Sequence, residues 1–171
     1  MPRLAIGLGS SLGDRAGALT LAVRSLSVAP GLRLRRVSAF VRTPPLAGGA
    51  ARNWFLNAVA LFEHDPTVSL EHVLVRCVDL EERAGRRRGR HWGDRPLDLD
   101  LLLAEGVVSD DPRLVLPHPA IRSRPFVLGP LLEVWPDAVD PRDGTRLSTL
   151  PVPAGPAPAV VGRLAPIPRL R

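Results

Sequence analysis

The stretch Leu97-Asp98-Leu99-Asp100-Leu101-Leu102-Leu103 limits what this chain can fold into more than any other. Its leucines demand burial, and its length suits a strand. Side chains alternate faces along a strand, so Asp98 and Asp100 point the same way, ~7 Å apart at Cα. Leu97, Leu99 and Leu101 then point the other way, into a core. Carboxylates on one face of an otherwise oily strand are costly unless something pairs with them. A hard divalent cation is one natural partner, since Mg²⁺ takes one or two carboxylates plus phosphate oxygens. Two such ions can bridge a polyphosphate and neutralise charge as the phosphoryl group moves. Taken alone, the pair is equally compatible with a solvent-facing strand edge carrying ordinary acids.

The residues directly upstream favour the metal. The thirteen residues from Arg83 to Arg95 include six arginines, broken by glycines and joined by His91 and Trp92. Arginine grips phosphate bidentately and keeps its charge at any working pH. The glycines allow such a loop to open and close over a reaction and exclude water. Trp92 would anchor the closed state by packing. A basic loop with one aromatic also suits nucleic acid. An adjacent acidic strand would repel that polymer's phosphates unless metal lay between, so polyphosphate is the better partner.

Composition narrows the chemistry. The chain has a formal net charge of +6 and contains no lysine. That excludes a Walker A lysine, a protein-kinase lysine and a Schiff base. The single cysteine, Cys77, cannot form an internal disulfide, and a cytoplasmic location is the default. No apolar run is long enough for a bilayer, and the N-terminus carries no signal-peptide core. At 171 residues the chain suits one domain.

Periodicity predicts a strand over 3–8, a turn at Gly9–Gly13, and a helix from an Asp14 N-cap to about Val28. A second strand is expected over 32–42 with a bulge near Arg35-Arg36, ended by Thr43-Pro44-Pro45. Residues 54–63 are apolar on both faces and read as a central strand. A helix follows from about Ser69 to Arg83, with Leu70, Val73, Leu74 and Cys77 on its core stripe. The Asp98 strand comes next, then a short edge strand at 106–108 and a helix over 125–134. The order is βαββαβ with additions, which suits an α+β sandwich with an antiparallel sheet. Residues 1–150 form the expected domain, and the Pro- and Ala-rich 151–171 read as a loosely packed tail.

Several polar residues sit where burial demands a partner. Glu81 continues the Leu70, Leu74, Cys77 stripe, at the helix end where the dipole disfavours an anion. It wants an arginine or a ligand N–H, although a surface Glu in a fraying turn is an equal alternative. Asn57 shares a strand face with Phe55 and Val59; its amide suits the mixed edge of a pyrimidinone-type ring, on which Phe55 could stack. Bonding to a neighbouring loop's backbone explains Asn57 at least as well. His118 sits in a rigid Pro-His-Pro turn and could donate to a phosphate oxygen or accept a proton. Gly7-x-Gly9-x-x-x-Gly13 lacks the dinucleotide spacing and its distal acid, and reads as a glycine turn leading into a helix.

Together these segments resemble 6-hydroxymethyl-7,8-dihydropterin pyrophosphokinase. The resemblance is carried by Gly9-Ser10-Ser11-Leu12-Gly13-Asp14-Arg15, Arg42-Thr43-Pro44-Pro45, Phe55-Leu56-Asn57-Ala58-Val59 and Glu81-x-x-x-Gly85-Arg86. It continues through His91-Trp92-Gly93-Asp94-Arg95-Pro96-Leu97-Asp98-Leu99-Asp100, Leu116-Pro117-His118-Pro119 and Arg124-x-Phe126-Val127-Leu128. It implies a ferredoxin-like fold with extra C-terminal elements, in a cytoplasmic monomer that binds neither nucleic acid nor membrane. It further implies that ATP as co-substrate and a dihydropterin bind side by side, with two Mg²⁺ between Asp98 and Asp100. The catalytic set would be Arg86, Arg95, Asp98 and Asp100. Glu81, Arg88, Trp92, Leu99, Arg113, Val115, His118 and Arg124 would bind ATP. Thr43, Pro44, Pro45, Leu46, Phe55, Asn57 and Phe126 would bind the pterin, with Phe55 and Phe126 sandwiching the ring. Three positions depart from the family pattern: Ser11 for Asn, Asp94 for Pro and Pro96 for Thr. The first is expected to lose a turn hydrogen bond, and the other two to alter loop closure. Two rival readings remain at this stage, a basic nucleic-acid-binding module and another Mg-dependent nucleotide enzyme.

Overall fold

The computed structural model describes residues 1–45, 48–86 and 93–165. Strand β1 (Arg3–Ser10) runs between β4 (Phe55–His64) and β5 (Asp98–Ala104), antiparallel to both. Helix α1 (Arg15–Ser27) begins at Asp14, whose side chain accepts from the Gly17 N–H at 2.9 Å, as the N-cap reading requires. Strand β1 is two residues longer than predicted, so Gly9 and Ser10 belong to the ladder and not to the turn.

The predicted strand 32–42 is two strands, β2 (Leu32–Val37) and β3 (Ala39–Thr43), with the expected irregularity between Leu34 and Arg36. They part at Ser38, whose hydroxyl accepts from Val59 N–H at 2.9 Å while Ala39 N–H turns to the Glu133 carboxylate. Both strands pair with β4, which is therefore central, as its two apolar faces require. The sheet order is β5-β1-β4-β3 and then, at the far edge, β8 (Ala159–Arg163), with β2 beside β3 on the same edge of β4. Strand β8 pairs with β3 and corrects the reading of the tail as wholly loose. The predicted edge strand at 106–108 lies slightly later. Gly106 takes a positive φ in a turn, and β6 (Ser109–Asp111) then pairs with β7 (Leu114–Leu116).

Helix α1 and helix α2 (Leu70–Arg83) cover one face of the sheet. Leu19, Val23, Leu26, Val73 and Cys77 meet Leu4, Ile6, Leu8, Ala60 and Phe62 there. The short α3 (Ala120–Ser123) and α4 (Pro125–Val134) lie on the other face, where Leu128, Leu131 and Val134 meet Ala5, Val59, Leu61 and Leu103. Each such large side chain contributes roughly 1.5–3 kcal/mol on burial. The result is the α+β, ferredoxin-like sandwich expected from the sequence, with α3, α4 and β6–β8 added.

Candidate active site

The register of β5 decides where its two aspartates look. Asp98 lies opposite Gly9 and Asp100 opposite Gly7, so both face the α4 side. Leu99 and Leu101, buried, point into the opposite core, as alternation predicts. The bulge in β5 falls after Leu101 and leaves the aspartates in regular ladder.

Helix α2 delivers the first arginine. Gly85 takes φ +90° just past its end, a conformation glycine adopts without strain. Gly85 N–H donates to Glu82 O at 2.9 Å and Arg86 N–H to Glu81 O at 3.0 Å, the paired bonds of a Schellman stop. This turn folds Arg86 back over Glu81, and the two side chains form an ion pair. Buried Glu81 also accepts the Leu99 N–H at 2.7 Å, between the two aspartates. Burial pushes its carboxyl up to about 7, against the opposing pull of the Leu99 N–H and of Arg86. The reading of Glu81 as a buried acid with a partner holds; a fraying surface position does not.

The second arginine arrives from the other side. Arg95 is tied to Ser11 through its backbone: Arg95 N–H donates to Ser11 Oγ and Ser11 N–H to Arg95 O, each at 2.9 Å. The serine therefore keeps a bond that its short side chain was expected to lose. Arg86 Nη1 and Arg95 Nη1 both donate to Asp98 Oδ1 at 2.8 Å. Asp100 receives no hydrogen bond from any described residue. Burial, followed by the neighbouring Asp98 charge, pushes its carboxyl up.

On β4, Asn57 Nδ2 donates to Thr43 Oγ1 at 2.8 Å, so its partner is a side chain of β3 and not a loop backbone. Phe55 stands at the start of the same strand face, and Phe126 at the start of α4. His118 is fixed from both sides: its backbone N–H donates to Leu102 O at 2.8 Å, and its ring Nδ1 accepts from Ala120 N–H at 3.1 Å. That leaves Nε2 as the ring's N–H donor. Arg124 lies 5.9 Å from the Phe126 ring centre and has no carboxylate partner among the described residues.

One cavity of about 890 Å³ collects these groups. Its walls include Arg86, Arg95, Asp98, Asp100, Glu81, Leu99, His118 and Arg124, together with Thr43, Pro44, Phe55, Asn57 and Phe126. A small recess floored by Gly7 and Gly9 adjoins it. Pro45, Arg113 and Val115 do not line the cavity. Arg113 is bonded to Asp111 at 2.8 Å on the β6–β7 hairpin. Leu46, Arg88 and Trp92 lie outside the described residues. The sequence reading missed Leu12, Ala51, Val78 and Asp94 as lining residues, and took Leu74 for core alone. The i, i+4 spacing of Leu74 and Val78 was the available signal for α2; Asp94 was marked only as a departure from the family pattern.

A family model described as 7,8-dihydro-6-hydroxymethylpterin-pyrophosphokinase matches residues 5–136. The chain is 45% identical over 139 residues to a 2-amino-4-hydroxy-6-hydroxymethyldihydropteridine pyrophosphokinase of Methylorubrum extorquens, covering 81% of this chain and 86% of that one. A protein of the same name from Mycobacterium tuberculosis is 38% identical over 162 residues, covering 86% and 82%. One from Synechocystis is 34% identical over 145 residues, covering 85% and 72%. Among solved structures, Plasmodium falciparum HPPK-DHPS superposes with a TM-score of 0.58 at 12% identity, over 85% of this chain. This chain spans only 43% of that longer one, and the likeness is one of fold.

Proposed function

Since the chain belongs to the 7,8-dihydro-6-hydroxymethylpterin-pyrophosphokinase family, we propose that its cleft is the site of that reaction and that the residues on its walls divide the work as follows. The enzyme transfers the diphosphate of ATP to the hydroxymethyl group of 6-hydroxymethyl-7,8-dihydropterin in folate biosynthesis. The observation that carries the assignment of the site is the aspartate pair: two carboxylates on one strand face, under two guanidiniums, opening on a cavity that also holds Asn57 and Phe55.

The donor set fits a hard divalent cation. Asp98 and Asp100 share a face, and Asp100 has no other described partner. Among the described residues no group of three or more His, Cys, Asp or Glu forms a closed cage. That matches Mg²⁺, which keeps most of its shell for phosphate oxygens and water. Asp98 and Asp100 would hold two ions, which supply charge neutralisation to the phosphate chain when bound. Arg86 and Arg95, poised over Asp98, reach the same chain from the loop side. His118 Nε2–H and Arg124 reach it from the α3–α4 side. Glu81 sets Arg86 and the backbone of Leu99, and so the direction of both aspartates.

Thr43, Pro44, Asn57, Phe55 and Phe126 bind the pterin, with the two rings stacking on it and Asn57 reading its edge. The hydroxymethyl oxygen gives up its proton to solvent and forms a bond to the β-phosphorus of ATP, the bridge to the α-phosphate breaks, and AMP leaves. Orientation and charge stabilisation by these side chains supply most of the rate. Residues 1–150 carry the reaction in a cytoplasmic monomer that uses neither nucleic acid nor membrane. Among the described residues no helix is long and apolar enough to cross a membrane.

The test is AMP release from ATP, with and without Mg²⁺ and dihydropterin. Asp98→Ala and Asp100→Ala are expected to stay folded by circular dichroism and lose AMP release. Near-normal turnover in both would remove the aspartates from the mechanism.

A further inference from the structure

One carboxylate joins two loops at the rim of the cleft. Asp94 accepts the backbone N–H of Arg52 at 3.0 Å and of Asn53 at 3.1 Å, and the Asn53 side-chain amide at 2.9 Å. Burial pushes the Asp94 carboxyl up, but the N–H groups of Arg52 and Asn53 outweigh it and hold the group below its ordinary value. A carboxylate left in a solvated loop would turn to water; this one gathers three donors from a segment distant in sequence.

That segment is itself fixed. Trp54, next in the chain, lies between the guanidiniums of Arg15 and Arg42, at 4.0 and 4.7 Å from its ring centre. Its carbonyl also accepts from Arg15 Nε at 3.3 Å. On the other side of Asp94 stands Arg95. The main chain of 93–95 is thus moored twice, at Arg52–Asn53 through Asp94 and at Ser11 through Arg95 itself. With both moorings in place, the Arg95 guanidinium meets Asp98 at 2.8 Å.

We propose that Asp94 is a positioning residue for the diphosphate transfer: by mooring 93–95 on Arg52–Asn53 it aims Arg95 at the phosphate chain. This deepens the function proposed above and rests on the role given there to Arg95. The chemistry requires a carboxylate. Asparagine offers one acceptor oxygen and sets its own N–H₂ against three donors.

A double-mutant cycle tests it, with AMP release measured at varied ATP and dihydropterin for wild type, Asp94→Ala, Arg95→Ala and the double variant. Asp94→Ala should lower kcat roughly ten- to hundredfold, the scale of a small misplacement of a catalytic group, with smaller changes in both KM values. In the Arg95→Ala background the same change should cost less than about twofold, because residues acting as a unit are not additive. A merely structural role would lower kcat by the same factor in both backgrounds, and that result overturns the proposal. So does wild-type kcat in Asp94→Ala. If Arg95→Ala itself turns over at the wild-type rate, the role of Arg95 fails and this proposal falls with it. Should Asp94→Ala not fold, Asp94→Asn, which keeps size and one acceptor, replaces it in the same cycle with the same expectations.

Discussion

Glu81→Gln should make the metal-free protein more stable at neutral pH while slowing its reaction. Glu81 is only 6% exposed, and burial raises its carboxyl from the ordinary 4.5 to about 7. The sign follows from proton binding. Between those two values the folded state holds the proton more tightly than the unfolded chain does. The contribution to stability is complete below 4.5 and is lost as the pH rises through 7. A rise from 4.5 to about 7 amounts to about 3 kcal/mol. Glutamine keeps an oxygen for the Leu99 N–H and removes the charge. Urea unfolding in a chelator, at intervals from pH 4.5 to 8, should therefore give curves that coincide at the acid end. They should diverge toward pH 8, where the variant is the more stable by up to about 3 kcal/mol. Taking the difference between the two proteins cancels the titrating groups that do not interact with Glu81. Turnover should fall, because Arg86 keeps Asp98 but loses its ion pair with Glu81 and that pull on its position over the aspartates. Parallel stability curves, or a variant weaker at pH 8 than at pH 5, would refute the reasoning.

Cys77 is fully buried, and burial, then the charges of Glu81 and Asp100, push its thiol up to about 12. It should not react with a disulfide reagent at pH 8 in the native protein, and should react at once in urea. Gly9→Ala would set a methyl 3.2 Å from Asn57 Oδ1 and 3.7 Å from Asp98 Cβ. It is expected to leave the fold intact and raise the dihydropterin KM at least several-fold, measured by AMP release; an unchanged KM would show that the substrate does not approach this floor.

The fold was legible where burial imposes a period. The alternation of 97–103, the two-sided run 54–63 and the stripe Leu70, Val73, Cys77 each gave the right element and the right face. What escaped was decided by partners far along the chain. The break at Ser38 depends on Glu133, which takes the Ala39 N–H. Strand β8 is exposed at every position, so it carries no burial pattern, and only the open edge of β3 makes it a strand. The same division applies to the site. Asp98, Asp100, Glu81 and Asn57 were conspicuous as polar groups on apolar faces. Asp94 stood out only as a departure from the family pattern beside Arg95; its three donors lie on another loop, so the bonds it makes were not legible. Arg113 and Val115 were assigned to the nucleotide by resemblance alone; the hairpin that carries them stands outside the lining of the cavity.

The glycines of β1 show how the sheet spaces the aspartates from Asn57. Gly7 and Gly9 lie in the strand, on the face that α4 covers, while Leu4, Ile6 and Leu8 fill the other core. One row across the sheet reads Asp98, Gly9, Asn57, and the next reads Asp100, Gly7, Val59. The aspartates and Asn57 are therefore two strand spacings apart, about 10 Å, with no side chain between them. A Cβ at Gly7 would press on Leu102 at 3.2 Å, and one at Gly9 on Asn57. The gap suits the division of the site proposed above, with the phosphate chain at the aspartates, the flat ring at Asn57, and Gly9 between them without a side chain. A glycine pair resembling a nucleotide turn is thus the floor of the recess beside the cleft, and β-sheet register sets the distance across it.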